Sequence, residues 1–300
     1  MKIKNINRAI NNYRESFGDE LSDLLIDLFV AVTGLEYELD WKPNADAVAQ
    51  VLRDGSYALA YEEPVVDSEW LKHATRMLFE AIDDNAEKLD WSAFDKVDFS
   101  HALTKDDATL KDLAEHLELS DENLDEQIIK NRFYLAYSQA LAVFGEAVHN
   151  KLAAIIEEVD FLNPTFCPVC GSQAALAIQT EGSLSEGSPK MLWCSTCHFK
   201  WRYSRVKCEV CGNTNQHQLH YLYDSADAAH KIHICEKCGS AFPVYDEGKL
   251  TIMSKPEIEE FVLMGTMDKI LSQDIDIEEL FGQEMPDLSG VFTLKDEEQD

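Results

Sequence analysis

The 300-residue sequence has few basic residues. It contains 26 Lys and Arg against 56 Asp and Glu, which gives a formal net charge of −30 at pH 7. A protein that binds a nucleic-acid backbone needs a field of Lys and Arg to neutralise the phosphates. The composition therefore predicts no nucleic-acid partner, whereas an acidic surface suits a basic partner segment.

The acidic excess is absent from the middle of the chain. Residues 164–250 have eight basic and eight acidic residues, while residues 1–163 have a net charge of −19 and residues 251–300 one of −11. The basic cluster of the neutral region consists of Lys200, Arg202, Arg205 and Lys207. Four thiolates around a divalent metal leave a charge of about −2, so we interpret these cations as charge compensation, with a phosphate site as the alternative.

Long apolar runs are also missing. The N-terminal stretch MKIKNINRAINNYRESFG has a basic start but no apolar segment of signal-peptide length. No segment approaches the ~20 apolar residues that a membrane span requires. We therefore expect a cytoplasmic protein without membrane insertion, in a compartment where thiols stay reduced.

No cysteine lies outside a C-x-x-C pair. The eight cysteines form the four pairs Cys167/Cys170, Cys194/Cys197, Cys208/Cys211 and Cys235/Cys238. Both intervals between the members of a double pair are 23 residues, and the whole arrangement repeats with an offset of 41. A C-x-x-C turn points both sulfurs at one point, and two turns complete a tetrahedron of thiolates around zinc or iron. The sequence therefore predicts two metal ions, iron as in rubredoxins or zinc, each held by four cysteines.

Other arrangements of these cysteines are open. Because a unit that was copied whole should close its own site, the repeat favours a local scheme, with the first four cysteines in one site and the last four in the other. A crossed scheme would join the two middle pairs, which are ten residues apart. A disulfide framework would need an oxidising compartment, so metal ligation is the favoured interpretation.

The residues after the pairs fit metal-binding turns. Gly171, Gly212 and Gly239 follow three of the second cysteines, where positive φ costs glycine little. His198 takes this place in the remaining turn, and histidine is among the few other residues enriched at positive φ. Five histidines nearby are surplus to two complete sites, and we expect most of them to be ordinary strand or turn residues. They are His198, His217, His220, His230 and His233.

Helical spacing dominates the first ~160 residues. Leucines recur at i, i+3, i+4 and i+7 over residues 21–28, which is typical of one buried helix face. Further helices are predicted over 67–88, 106–117 and 121–158, with Ser120 as the cap of the last one. This part contains no nucleophile motif, phosphate loop or zinc-protease motif. We therefore predict no catalytic residues and no enzyme.

The fold class predicted from these patterns is α+β. An N-terminal all-helical domain precedes two tandem rubredoxin-like or zinc-ribbon four-cysteine modules, each with a small sheet of its own, and a C-terminal helix over 256–272. The predicted domains are an acidic helical domain at 1–163, metal modules at 164–206 and 207–250, and a helix with an acidic tail at 251–300. A loop is predicted at 182–189, and a disordered end is predicted after the C-terminal helix.

The motifs of the cysteine region resemble a known family. They are CPVCGS at 167–172, C-S-x-C at 194–197, Trp201, R-V-K-C-x-x-C-G at 205–212, Leu219-His220-Tyr221, Asp224, Ala228-Ala229 and C-x-x-C-G at 235–239. In this order, over about 75 residues, they resemble the formate dehydrogenase accessory proteins of the FdhE type. A helical N-terminal half before the cysteines is also similar to that family.

The resemblance implies a cytoplasmic maturation factor. Proteins of this family are needed for active formate dehydrogenase, contact its catalytic subunit and carry rubredoxin-like iron sites. Carried over, the eight cysteines are the metal ligands, and Trp201, Arg205 and Lys207 fall in the linking motif. The alternatives are a rubredoxin-like electron-transfer protein and a zinc-ribbon nucleic-acid-binding protein. The sequence leaves open whether the chain forms a homodimer.

Overall fold

The computed structural model describes residues 3–103, 118–119, 125–159, 164–180, 190–224, 227–252 and 254–271. By packing, the chain divides into two compact units. Residues 1–173 and 194–199 form the first unit, and residues 174–193 and 200–300 form the second. The division into four domains that we expect from the sequence stays a prediction.

The first unit is helical, as its apolar spacing predicts. Its helices are α1 Ile3–Asn12, α2 Arg14–Phe17, α3 Asp19–Val32, α4 Ala45–Arg53, α5 Ser68–Ile82, α6 Ser92–Asp95 and α7 Glu126–Glu157. Two short antiparallel strands, β1 Leu89–Asp90 and β2 Glu118–Leu119, accompany them. The core lies where α5 packs on α3 and α7. Phe94 and Phe133 meet there edge to face, with ring centroids 5.3 Å apart.

Side-chain caps fix where the two long central helices begin. The carboxylate of Asp67 accepts hydrogen bonds from the backbone N–H groups of Glu69 and Trp70 at the start of α5. Asp125 caps α7 in the same way, so the expected cap Ser120 is wrong. An N-terminal carboxylate satisfies free N–H groups and also interacts favourably with the helix dipole.

The second unit is built on one mixed sheet. Its strands are β3 Leu176–Gln179, β4 Lys190–Trp193, β5 Lys200–Tyr203, β6 Leu219–Asp224, β7 Asp227–Cys235 and β8 Ser240–Asp246. The spatial order is β5-β4-β3-β8-β7-β6, with β3 and β8 parallel and the other neighbours antiparallel. The expectation of a separate sheet in each module is therefore wrong. The parallel pair joins the two sets of strands, with Ala177 opposite Val244 and both fully buried.

Helix α8, Pro256–Leu271, covers part of this sheet, as the spacing over 256–272 predicts. Leu263 packs against Trp193 and Tyr245, and Met267 packs against Ile232. Burying one such large apolar side chain contributes about 1.5–3 kcal/mol. With N-terminal helices, two groups of four cysteines and a C-terminal helix, the predicted α+β class is confirmed.

Three expectations fall outside the described residues. They are the helix over 106–117, the loop at 182–189 and the acidic end after residue 271. Within the part of the chain that the structure describes, no helix has the length and apolar character needed to cross a membrane.

Candidate metal centres

The structure brings the eight cysteine sulfurs into two groups of four. The first site consists of Cys167, Cys170, Cys194 and Cys197, and the second site of Cys208, Cys211, Cys235 and Cys238. Within each site all four sulfur atoms lie within 4.8 Å of one another. The grouping is that of the local scheme, so each half of the 41-residue repeat closes its own site.

All four C-x-x-C turns have the same backbone geometry. The residue after the second cysteine has positive φ in each, with 81° at Gly171, 56° at His198, and 70° at both Gly212 and Gly239. Its N–H donates to the carbonyl oxygen of the first cysteine at 2.8–3.0 Å. The turn expected after each pair is thus present, including the one in which histidine replaces glycine.

Helical elements of the first unit position the first site. The N–H groups of Ala58 and Leu59 donate to the carbonyl oxygens of Pro168 and Val169 inside the first turn, at 2.8 and 3.0 Å. In α7, the His149 ring contacts the carbonyl oxygen of Cys197. All four cysteines of this site are at least 96% buried. The first site is therefore closed to solvent.

Strands of the second unit position the second site. The hydroxyl of Tyr203 donates to the carbonyl oxygen of Cys208 at 2.7 Å. The amide of Asn213 donates to the sulfur of Cys235 at 3.7 Å. Cys208 and Cys235 are buried, but Cys211 and Cys238 are exposed. One edge of this group of sulfurs therefore faces solvent.

A buried ionic cluster lies beside the second site, and our sequence reasoning missed it. Lys190 forms an ion pair with Glu209, and Nδ1 of His233 donates to the other oxygen of Glu209 at 2.6 Å. These three side chains are at most 1% exposed. Burial alone would raise the pKa of Glu209, but the hydrogen bond from His233 and the charge of Lys190 hold it below its usual value. Glu209 is therefore a buried carboxylate with two partners.

Other surplus histidines also contact carboxylates. His220 on β6 donates to Glu236 at 2.8 Å. His230 on β7 bridges Asp227, at 2.8 Å, and Glu259 of α8, at 2.6 Å. Burial lowers the pKa of His230, but the hydrogen bonds to the two carboxylates outweigh it and raise the pKa to about 9. These are strand residues, as expected, but their ion pairs were not predicted.

The donor set and its spacing fit a tetrahedral thiolate metal ion. Cysteine sulfur binds zinc at about 2.3 Å, which places two sulfurs of a tetrahedron about 3.8 Å apart. The sulfur pairs Cys167–Cys197 and Cys170–Cys194 are 3.5 and 3.6 Å apart. In the second site both measured sulfur pairs are 3.8 Å apart. Each site could therefore hold one metal ion, and the spacing does not distinguish zinc from iron.

The cations expected to compensate the thiolates are only partly beside the second site. Lys200, Arg202 and Arg205 are exposed. The ammonium group of Lys207 lies over the ring of Tyr203, 5.0 Å from its centroid. The buried cation of this region is Lys190, which the sequence analysis did not single out.

The first unit also has a cleft of about 630 Å³. It is lined by Tyr37, Glu38, Leu39, Asp40, Ala147, Asn150 and Lys151. Glu38 and Asp40 are exposed, as is the neighbouring Glu36. This rim contributes to the acidic surface that the composition of residues 1–163 predicts.

Helices followed by a sheet with two four-cysteine sites define the chain as a two-site metal-binding accessory type of fold rather than a hydrolase fold, because four protein ligands leave no open position for substrate. Comparison with known proteins gives this class a name. Over 95 residues the chain is 34% identical to the protein FdhE homolog of Aquifex aeolicus (strain VF5). The resemblance to the FdhE type that the motifs predict is thereby confirmed.

The two matches cover different shares of the chain. The aligned segment is 32% of this chain and 33% of the Aquifex protein, so the chain spans about a third of the length of that curated relative. The crystal structure of the FdhE protein from Pseudomonas aeruginosa matches 91% of this chain and 93% of its own, with a TM-score of 0.50 and 15% identity. This match shows a shared fold. No protein-family model matches the chain.

Proposed function

We propose that this protein is a non-catalytic accessory factor for the assembly of formate dehydrogenase in the cytoplasm. The observation that carries the proposal is the pair of four-cysteine sites in a chain that resembles FdhE proteins in sequence and fold. In this proposal the protein binds the immature catalytic subunit of the dehydrogenase through a platform that its metal ions stabilise.

The eight cysteines are the proposed metal ligands. A bound ion supplies folding free energy to the turns that contact it, since short C-x-x-C segments have little apolar core of their own. In the first site the residues themselves exclude water, as all four cysteines are buried. The metal is thus assigned a structural role there, with zinc and iron equally suited to the sulfurs.

The acidic surface of the helical unit is proposed to attract a basic segment of the client subunit. Residues 1–163 have a net charge of −19, and the rim formed by Glu36, Glu38 and Asp40 is exposed to solvent. Charge complementarity of this kind raises association rates and suppresses wrong partners. A twin-arginine leader on the client would be such a basic segment.

One experiment tests the main proposal. The protein is purified without oxygen from cells that express a formate dehydrogenase, and its metal content, absorption spectrum and co-purifying proteins are determined. We expect two metal ions per chain and the catalytic subunit of the dehydrogenase. Protein without metal, or with metal but without any dehydrogenase subunit after crosslinking, would contradict the proposal.

The electrostatic part has its own test. We expect Glu36→Gln, Glu38→Gln, Asp40→Asn and Glu62→Gln together to weaken capture of the subunit at low salt. All four side chains are exposed. The difference from the wild type should fade at high salt, because screening weakens surface charge interactions. Equal capture by both proteins at low salt would remove the electrostatic part and leave the rest.

A rubredoxin-like electron carrier is the second candidate function, and the exposure of Cys211 and Cys238 favours it. An exposed thiolate edge would let an electron partner approach an iron ion closely. Such a carrier predicts iron-thiolate colour and reversible reduction without a stable protein partner. The same purification therefore separates the two functions.

A further inference from the structure

The two sites differ in how solvent reaches them. The cysteines of the first site are all buried. In the second site the first cysteine of each turn is 1% exposed, while the second cysteine of each turn is exposed. The second site therefore has a buried half, Cys208 and Cys235, and an exposed half, Cys211 and Cys238.

The residue after the first cysteine also differs between the sites. This position holds Pro168 and Ser195 in the turns of the first site. It holds Glu209 and Glu236 in the turns of the second site. Each of these glutamates binds a histidine of a neighbouring strand, so both turns of the second site are tied to the sheet by their own side chains.

The two glutamates are not equally buried. Glu236 and its partner His220 have side chains 17% and 24% exposed. Glu209 and His233 are both 1% exposed, and Glu209 also forms the ion pair with Lys190. Removing one member of a buried ionic cluster leaves the others without a partner, at a cost of about 3–5 kcal/mol. Glu209 is therefore the stronger tie.

Glu209 ties the buried half of the second site to two strands. Lys190 belongs to β4 and His233 to β7, so one carboxylate links the turn to both. The neighbouring Cys208 is also held through its carbonyl oxygen by Tyr203. The turn is thus fixed on the side of Cys208, whereas the sulfur of Cys211 lies at the surface.

We propose that the second site exchanges its metal ion with the solution through Cys211 and Cys238, while Glu209 acts as a positioning residue that keeps Cys208 in place. The inference rests on the proposed metal ligation. No electron moves in this exchange. Cys211 and Cys238 release the ion to an incoming chelator and take up protons from water, and Cys208 and Cys235 follow. The first site, which has no exposed cysteine, keeps its ion on this timescale.

Zinc-loaded full-length protein and an excess of a coloured zinc chelator test the inference. We expect two phases of release, one ion per chain in each, with the second phase at least about tenfold slower. Cys211→Ser with Cys238→Ser should abolish the fast phase and keep the slow one. Release in a single phase, or a fast phase that survives in this double variant, would overturn the proposal. Absence of zinc from the wild type would instead overturn the ligation itself.

Glu209→Gln tests the positioning role, because glutamine keeps the shape but not the charge. We expect it to accelerate the fast phase about tenfold and leave the slow phase unchanged, as loss of a side chain that supports a ligand often weakens metal binding 10- to 100-fold. Glu236→Gln is the matched control, and we expect a smaller acceleration.

A spectroscopic measurement separates positioning from simple loss of stability. In cobalt-loaded Glu209→Gln we expect an altered absorption band for one of the two thiolate sites and an unchanged band for the other. A variant with wild-type spectrum and release rates but lower thermal stability would show that Glu209 is only a structural anchor, which contradicts the positioning role.

Discussion

Gly145 of helix α7 lies directly against Cys197 of the first site. A Cβ atom at position 145 would lie 2.8 Å from the Cα atom of Cys197, closer than real Cβ atoms come to other atoms. It would also meet the carbonyl oxygen of Thr196. These neighbours are backbone atoms, which cannot rotate away as a side chain can. The lack of a side chain at residue 145 therefore lets the helix and the C-x-x-C turn touch.

Gly145→Ala should destabilise the protein, although alanine normally favours a helix by about 1 kcal/mol over glycine. We expect a net loss of about 1–3 kcal/mol in the free energy of unfolding, because overpacking at a rigid contact forces the backbone apart. Urea unfolding measures this loss, and metal analysis shows whether the first site still holds its ion.

Gly265→Ala is the control for this substitution. Gly265 also lies inside a helix, but a Cβ atom there would meet no atom within 4 Å. We expect unchanged or slightly raised stability and two metal ions per chain. If Gly145→Ala were as stable as Gly265→Ala, the contact between α7 and the turn would not be tight in solution.

The metal sites could be predicted because their signal is local in sequence. Two cysteines in one turn converge whatever the rest of the fold does, and the 41-residue repeat indicates which turns belong together. Helices of the first unit were predictable for the same reason. Even there the burial was only approximate, since Leu21 of the predicted apolar face is 41% exposed while Leu25 and Leu28 are fully buried.

Pairings between distant residues could not be predicted. The parallel contact of β3 with β8 joins segments about 65 residues apart, and no turn signal specifies it. The cluster of Lys190, Glu209 and His233 draws on three separate segments, and a charge in a short strand normally indicates a solvent-facing position. The signal that was available is the glutamate that both C-E-x-C turns share.

Gly171→Ala should damage the first site through both strain and contact. Gly171 has φ of 81°, and a Cβ atom there would lie 2.8 Å from the ring of Tyr57. Gly55 has φ of 82° but nothing within 4 Å, so Gly55→Ala reports the conformational cost alone, about 1–2 kcal/mol. We expect a larger loss of unfolding free energy and a lower metal content in Gly171→Ala. Equal losses would show that Tyr57 moves aside freely.

The contribution of His230 to stability should depend on pH. Its pKa is raised from 6.5 to about 9 by the carboxylates of Asp227 and Glu259, despite burial. A raised pKa means that the stabilisation is complete below pH 6.5 and disappears as the pH rises through 9, with a total on the order of 3 kcal/mol. Urea unfolding of the wild type and of His230→Gln should therefore differ more at about pH 6 than at about pH 10. A difference that grows with pH would contradict the assignment of a protonated His230.

Loss of one ligand should remove one ion and leave the other site loaded. We expect about one metal ion per chain in both Cys170→Ser and Cys211→Ser, because the serine hydroxyl does not replace a thiolate and the two sites share no cysteine. The buried position of Cys170 makes its variant the less stable of the two, since the polar hydroxyl is left where the other ligands exclude water. His217→Ala is the control, as His217 is exposed and lies near the cysteines in sequence but in neither group of ligands. Metal analysis by mass spectrometry and thermal unfolding measure these effects. Two ions in Cys211→Ser, or fewer than two in His217→Ala, would show that the ligand set is not the eight cysteines.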